Sequence, residues 1–275
     1  MKSRVITAII ILAVLIPLIW FSKLAFLILA CALILIGTHE MLQARKNKKF
    51  SIISQGLIYL VNITTLLFAY FYSTLQLSLP FMLSIIFCIY LLLIIFDHSM
   101  EFEDISYLGF VSIFIILSAN CAMYERSNSV GFQTIMYIII VTVACDTGAF
   151  FVGSAMGKHK LAPRLSPKKS VEGLIGGLIC AVIVGTLYCL LVDIYLPENT
   201  LIFVIASLLL GIGAVIGDLF FSSIKRANGI KDFSNFLPGH GGILDRIDSH
   251  LTNFIVFYLF ISILSIFKLF NGVVL

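Results

Sequence analysis

Apolar runs of membrane-spanning length recur along this chain and leave it few ways to fold. A helix needs about 20 apolar residues to cross a bilayer. Runs of that order lie at roughly 4–21, 24–44, 52–72, 78–96, 105–124, 132–154, 173–192, 200–221 and 250–270. The chain is 60% hydrophobic and only 12% charged, about half the charged share of a soluble domain. The expected fold is therefore an all-α integral membrane protein, a polytopic bundle of about nine transmembrane helices. The basic, apolar N-terminus has no convincing small-residue cleavage site, so the first run is expected to be a retained span.

Lys and Arg placement sets the expected orientation. With the N-terminus cytoplasmic, 15 of the 18 Lys and Arg residues fall on inner segments, against Lys23, Arg126 and Lys268 outside. That arrangement puts both long polar segments, 155–172 and 222–249, on the cytoplasmic face. The organisation expected is N-terminal spans over 1–130 and a catalytic membrane region over 131–275. The net charge of +4 reads as topology rather than nucleic-acid binding, because no basic stripe lies outside the membrane-flanking loops. The six cysteines all sit in apolar runs without metal-ligand spacing, and read as small helix residues. The acidic stretch 97–104 reads as a solvated turn. His39 and Glu40 read as interfacial residues that snorkel.

The polar segment SSIKRANGIKDFSNFLPGHGGILDRID, residues 222–248, concentrates the chemistry. Asp218, Ser222 and Lys225 are spaced to share one helix face, with Arg226 beside them. A carboxylate inside an apolar run is costly and faces a polar cavity or a partner. Pro238, Gly239, Gly241 and Gly242 around His240 let backbone approach a ligand closely. His240 itself is equally a backbone-bonded turn residue or a phosphate contact. Asp245 and Asp248 then fall one turn apart at the start of the last helix. Mg²⁺ takes one or two carboxylates plus water and phosphate oxygens. Asp218 with Asp245 meets that demand, with Asp248 as a third ligand or a support behind them. Lys225, Arg226, Lys231 and Arg246 would neutralise phosphates.

A second polar region follows the sixth run. Asp146 lies inside apolar sequence and lines a cavity or bonds a neighbouring helix. Lys158, Lys160, Arg164, Lys168 and Lys169 form a basic lip, which also suits anionic lipid. Ser166-Pro167 and Ser170 read as turn and cap residues, with Glu172 in the favoured first turn of the next helix. The pairs Gly153/Gly157, Gly173/Gly177 and Gly213/Gly217 read as close helix packing.

The run Ser222, Ile224-Lys225-Arg226, Lys231-Asp232, Ser234, Leu237-Pro238, His240-Gly241-Gly242, Asp245-Arg246 and Asp248 resembles the pattern of phosphatidate cytidylyltransferases (CDP-diacylglycerol synthases). Asp146 to Phe150, Gly157-Lys158, Ser166 to Lys169 and Glu172-Gly173 resemble that family's second shared region. Val171 departs from it, standing where an aromatic often precedes the Glu. The likeness covers about the C-terminal half. It implies transfer of CMP from CTP to phosphatidic acid, giving CDP-diacylglycerol and pyrophosphate, with Mg²⁺ as cofactor. It also implies a bacterial cytoplasmic membrane or its equivalent, and admits a homodimer. Asp218, Asp245 and Asp248 would be the metal and catalytic carboxylates, with Lys225 and Arg226. Asp146, Lys168, Lys169, Ser222, Lys231, His240 and Arg246 would line the substrates.

The residues alone leave open which lipid phosphate is used. A CDP-alcohol phosphotransferase would need an Asp-Gly dipeptide, which is absent. A transporter would be expected to repeat its charged sites in both halves, whereas the charge here is concentrated in the C-terminal half.

Overall fold

The computed structural model describes residues 13–45, 48, 50–71, 75–97, 100–192, 200–237 and 241–267, with backbone alone at 75–82, 94 and 96. The elements are α1 (13–21), α2 (Lys23–Ala44), α3 (Ile52–Phe71), α4 (Leu75–Phe96) and α5 (Phe102–Ser127). Then come α6 (Gly131–Met156), β1 (Lys160–Ala162), β2 (Ser166–Ser170), α7 (Val171–Val192), α8 (Thr200–Ala227) and α9 (Leu244–Ile266). Seven of the described helices, α2, α3 and α5 to α9, are long and apolar enough to cross a membrane. The chain is a helical, multi-pass membrane protein. Among the described residues a small β-hairpin, β1–β2, interrupts the helical pattern.

The chain divides into two compact units. The first takes the described residues of Met1–Ser127 together with Asn228–Arg246. Here α2 packs on α3 and α5, and α4 closes against α3 and α5. Several buried polar groups on these helices bond a neighbouring helix, which helps to hold apolar helices together. Asn62 donates to Thr38 Oγ1 at 2.8 Å, and Tyr90 shares a 2.9 Å bond with Ser112. Arg126 donates to the carbonyls of Ile19 and Trp20, at 2.9 and 3.2 Å, at the C-terminal end of α1.

Two readings change in this unit. The acidic stretch is not a solvated turn throughout. Asp104 is 1% exposed and pairs with Arg45, at 3.4 Å, and with Lys48. Lys48 also meets Glu101 at 3.2 Å. Asp97 accepts from Ser51 at 2.7 Å and from Ser54. The acids serve as a clasp on the basic segment between α2 and α3. Glu40 does not snorkel either, since it too is only 1% exposed. His39 is bonded through both ring nitrogens, to Tyr59 and Gln43.

The second unit comprises Asn128–Ala227 and the described residues of Ile247–Leu275. Its core gathers Tyr137, Ile138, Val141 and Cys145 of α6, Phe203, Leu210 and Ala214 of α8, and Phe257 and Ile261 of α9. The Tyr137 hydroxyl, fully inside, donates to the Phe203 carbonyl at 3.1 Å and shares a 2.7 Å bond with Ser207. Asn253 of α9 donates to Thr142 of α6 at 2.7 Å. Glycines let α6 and α7 approach. A Cβ at Gly173 would lie 2.8 Å from the Ala149 carbonyl oxygen, and one at Gly177 2.8 Å from that of Cys145. The close-packing reading of these glycines holds.

Candidate active site

The second unit brings five charged side chains together from four elements. Asp146 comes from the C-terminal half of α6, Lys169 from β2, Asp218 and Lys225 from α8, and Asp248 from the start of α9. Lys169 Nζ lies 2.5 Å from Asp218 Oδ2. Asp146 is within electrostatic reach of Lys169 and Asp218. Asp248 is within reach of Asp218, Lys225 and Asp146. Lys225 and Asp248 are buried, at 7% and 8% exposure, whereas Asp146 is open to the surface.

Local structure explains how the sequence assembles this group. The apolar pattern of α8 ends near residue 221, but the helix runs on to Ala227, so Ser222, Lys225 and Arg226 are helical. Ser222 donates to Asp218 Oδ1 at 3.2 Å, as spacing of four residues on a helix allows. Asp248 Oδ1 accepts from the Ser249 N–H at 2.8 Å.

The segment between α6 and α7 is a β-hairpin, which composition did not suggest. Lys160 pairs with Ser170 and Ala162 with Ser166, with an irregularity between. Ser166 and Pro167 are therefore on a strand rather than in the turn. Ser170 does cap α7, accepting from the Gly173 N–H at 3.1 Å. Glu172 has a role beyond the helix dipole. It accepts from the N–H groups of Lys158, at 3.0 Å, and His159, and bonds His159 Nδ1 at 2.6 Å. That clamp fixes the start of the hairpin and so the strand bearing Lys168 and Lys169. Arg226 donates to the Leu165 carbonyl at the hairpin tip, at 3.4 Å.

The other candidates belong to the first unit. Asp245 Oδ2 accepts from the N–H groups of Phe233 and Gly242, at 2.8 and 2.9 Å. Gly241 holds φ +82°, the left-handed region that glycine enters without strain. Lys231 and Arg246 are exposed. His240, with Pro238 and Gly239, lies outside the described residues.

Hard carboxylate oxygens beside ammonium groups on flexible stems suit a divalent cation that arrives with phosphates. Among the described residues no three His, Cys, Asp or Glu side chains converge as a ready-made metal cage. Mg²⁺ does not require one, because it retains waters and uses substrate oxygens. The donor set of Asp218 and Asp248, with Asp146 beside them, fits that mode of binding.

The comparisons with known proteins agree with this chemistry. Residues 2–264 match the Cytidylyltransferase family. The chain is similar to phosphatidate cytidylyltransferase of Bacillus subtilis (strain 168), 32% identical over 270 residues that cover 96% of this chain and 99% of that protein. It is also similar to phosphatidate cytidylyltransferase of Staphylococcus aureus (strain COL), 35% identical over 260 residues, covering 91% and 95%. A likeness of that extent, reaching far beyond the polar segments into the apolar spans, means that the chain belongs to the cytidylyltransferase family.

Proposed function

We propose that this protein transfers CMP from CTP to phosphatidic acid, giving CDP-diacylglycerol and pyrophosphate. The observation that carries the reading is the group of Asp146, Lys169, Asp218, Lys225 and Asp248, gathered in a largely apolar helical unit. Its mixture of fixed negative and positive charge matches a reaction that joins two phosphates.

An oxygen of the lipid phosphate bonds to the α-phosphorus of CTP. The bond from that phosphorus to the pyrophosphate oxygen breaks, and pyrophosphate leaves with the electron pair. The nucleophile is already anionic near neutral pH, so the chain need not supply a general base. Its work is positioning and charge neutralisation. Lys225, Arg226, Lys231 and Arg246 neutralise the triphosphate and the lipid phosphate. Lys168, Lys169, Ser222 and His240 contact substrate oxygens, and Asp146 lines the same site beside Lys169 and Asp218. Of the carboxylates that the sequence offers for Mg²⁺, Asp218, Asp245 and Asp248, the pair Asp218 and Asp248 belongs to one unit and would hold the ion. When bound, the ion neutralises phosphate charge and makes the phosphorus more electrophilic.

The positive-inside pattern supports a cytoplasmic N-terminus and a site on the cytoplasmic face of the cell membrane. A homodimer completes the proposal. The test is purified protein in mixed micelles of phosphatidic acid, given labelled CTP, ATP, GTP or UTP. Label should enter lipid from CTP and depend on Mg²⁺. Lipid labelling that fails with CTP, or that favours a different lipid phosphate, overturns the assignment.

A further inference from the structure

Glu40 ends a chain of contacts that membrane-interface chemistry does not explain. Its Oε1 accepts from the Ser234 hydroxyl at 2.6 Å and from the Ile243 N–H at 2.8 Å. Its Oε2 accepts from the Leu244 N–H at 2.8 Å. Ile243 and Leu244 lie at the start of α9, where helix geometry leaves N–H groups without intrahelical partners. A carboxylate there satisfies those donors and favours the positive end of the helix dipole. Glu40 is thus a cap supplied to α9 by another helix, α2.

The surrounding residues are shaped to this contact. A Cβ at Gly242 would lie 2.7 and 2.8 Å from the two Glu40 oxygens, so only glycine lets the carboxylate approach. One turn earlier on α2, a Cβ at Gly37 would lie 3.2 Å from Leu244 Cδ2, and Leu244 is fully buried. Asp245 grips the same loop at Phe233 and Gly242.

We propose that Glu40 is a positioning residue that holds the segments 233–237 and 241–244 together, and through them the placement of Lys231, Asp245 and Arg246 for nucleotide binding. The proposal rests on the reading that this loop serves nucleotidyl transfer. Glu40 acts through the loop and touches no substrate.

The test compares Glu40→Gln, Glu40→Asp and Ser234→Ala in detergent-purified protein. The readouts are hydrogen exchange of peptides covering 233–246, kcat and KM for CTP, and the thermal midpoint. Gln keeps the shape but turns a donor toward a backbone N–H. It should speed exchange in this loop and raise KM for CTP by about tenfold, the scale of one lost hydrogen bond to a charge. Exchange in α6 to α8 should stay unchanged. Ser234→Ala should move both readouts the same way by less, and Glu40→Asp should fall between wild type and Gln. Wild-type exchange in Glu40→Gln and Ser234→Ala overturns the proposal. So does faster exchange spread over the whole protein with a lowered midpoint, which marks a general structural role. Faster loop exchange with wild-type kinetics also overturns it. Failure of wild-type protein to make lipid product would instead strike at the function, while loop exchange would still decide whether Glu40 holds the loop.

Discussion

Lys169 Nζ stands 2.5 Å from Asp218 Oδ2, joining the β-hairpin to α8. The ammonium occupies a place beside the carboxylate that a divalent cation would also seek. Removing it should separate two effects. Lys169→Met should lower the Mg²⁺ concentration needed for half-maximal rate, because a competitor for Asp218 is gone. The same change should lower kcat, because a phosphate-neutralising charge is gone. Magnesium titrations at saturating CTP check both. A raised Mg²⁺ requirement would show that Lys169 supports the metal rather than competing with it.

Asp218→Asn removes the charge and keeps the shape. Turnover should fall by about 100-fold or more, the scale of losing one preorganised electrostatic group. Elution from a sizing column and the thermal midpoint should remain those of wild type. Turnover near wild type in a folded Asp218→Asn protein would remove Asp218 from the metal assignment.

The α6/α7 contact predicts a stability effect that depends on position. Gly173→Ala and Gly177→Ala each place a methyl against a carbonyl oxygen of α6. Each should destabilise by about 1–3 kcal/mol, the usual cost of overpacking. Gly56→Ala is the control, since a Cβ there meets nothing within 4 Å. Comparable melting of all three variants would remove steric packing as the reason for these glycines.

Much of the helical framework is legible in hydropathy alone, because lipid forces an apolar stretch to hydrogen-bond within itself. The runs expected at 24–44 and 52–72 appear as α2 and α3 with ends moved by one residue. Polar helix ends are less legible. The apolar runs stop near 221 and resume near 250, yet α8 continues through Lys225 and Arg226 and α9 begins at Leu244, as the placing of Asp245 and Asp248 at the start of the last helix implies, because charged side chains can end a span without ending a helix. The hairpin is hidden for a different reason. Its strands have three and five residues, KLA and SPKKS, too short and too charged for an alternating pattern. The candidate carboxylates Asp146 and Asp218 stand out because charge in apolar sequence is expensive, and Asp248 stands out by its spacing of one turn from Asp245. Glu40 does not, because its partners are about 200 positions away and only the fold reveals them.

The clasp around Asp104 predicts a coupled response. Arg45 and Lys48 both face this buried carboxylate. Either base alone can still compensate it, whereas losing both leaves a buried charge unpaired. The double variant Arg45→Met/Lys48→Met should therefore lose more stability than the two single variants combined. The Lys48 ammonium is held above its ordinary 10.5 chiefly by its hydrogen bond to Asp104. A raised folded value means the contribution is complete below 10.5 and disappears as pH climbs through the folded value. Wild type should lose stability in that alkaline range more steeply than Lys48→Met. Parallel pH curves for the two proteins would show that the contact contributes nothing.

The Glu172 clamp offers a prediction on the hairpin. Its carboxylate accepts from two backbone N–H groups and bonds one imidazole nitrogen. Gln can satisfy only part of that set, because its amide nitrogen donates where an acceptor is needed. Glu172→Gln should loosen residues 158–170, seen as faster tryptic cleavage at Lys160, Arg164 or Lys168. Since Lys169 rides on that hairpin, kcat/KM for CTP should fall by about 10-fold, the scale of a lost hydrogen bond to a charge. His159→Ala removes one of the three contacts and should show the same pattern more weakly. If cleavage quickens in Glu172→Gln while kcat/KM stays at the wild-type value, the hairpin does not position Lys169 for the reaction, and Lys169 must be placed by its bond to Asp218 instead.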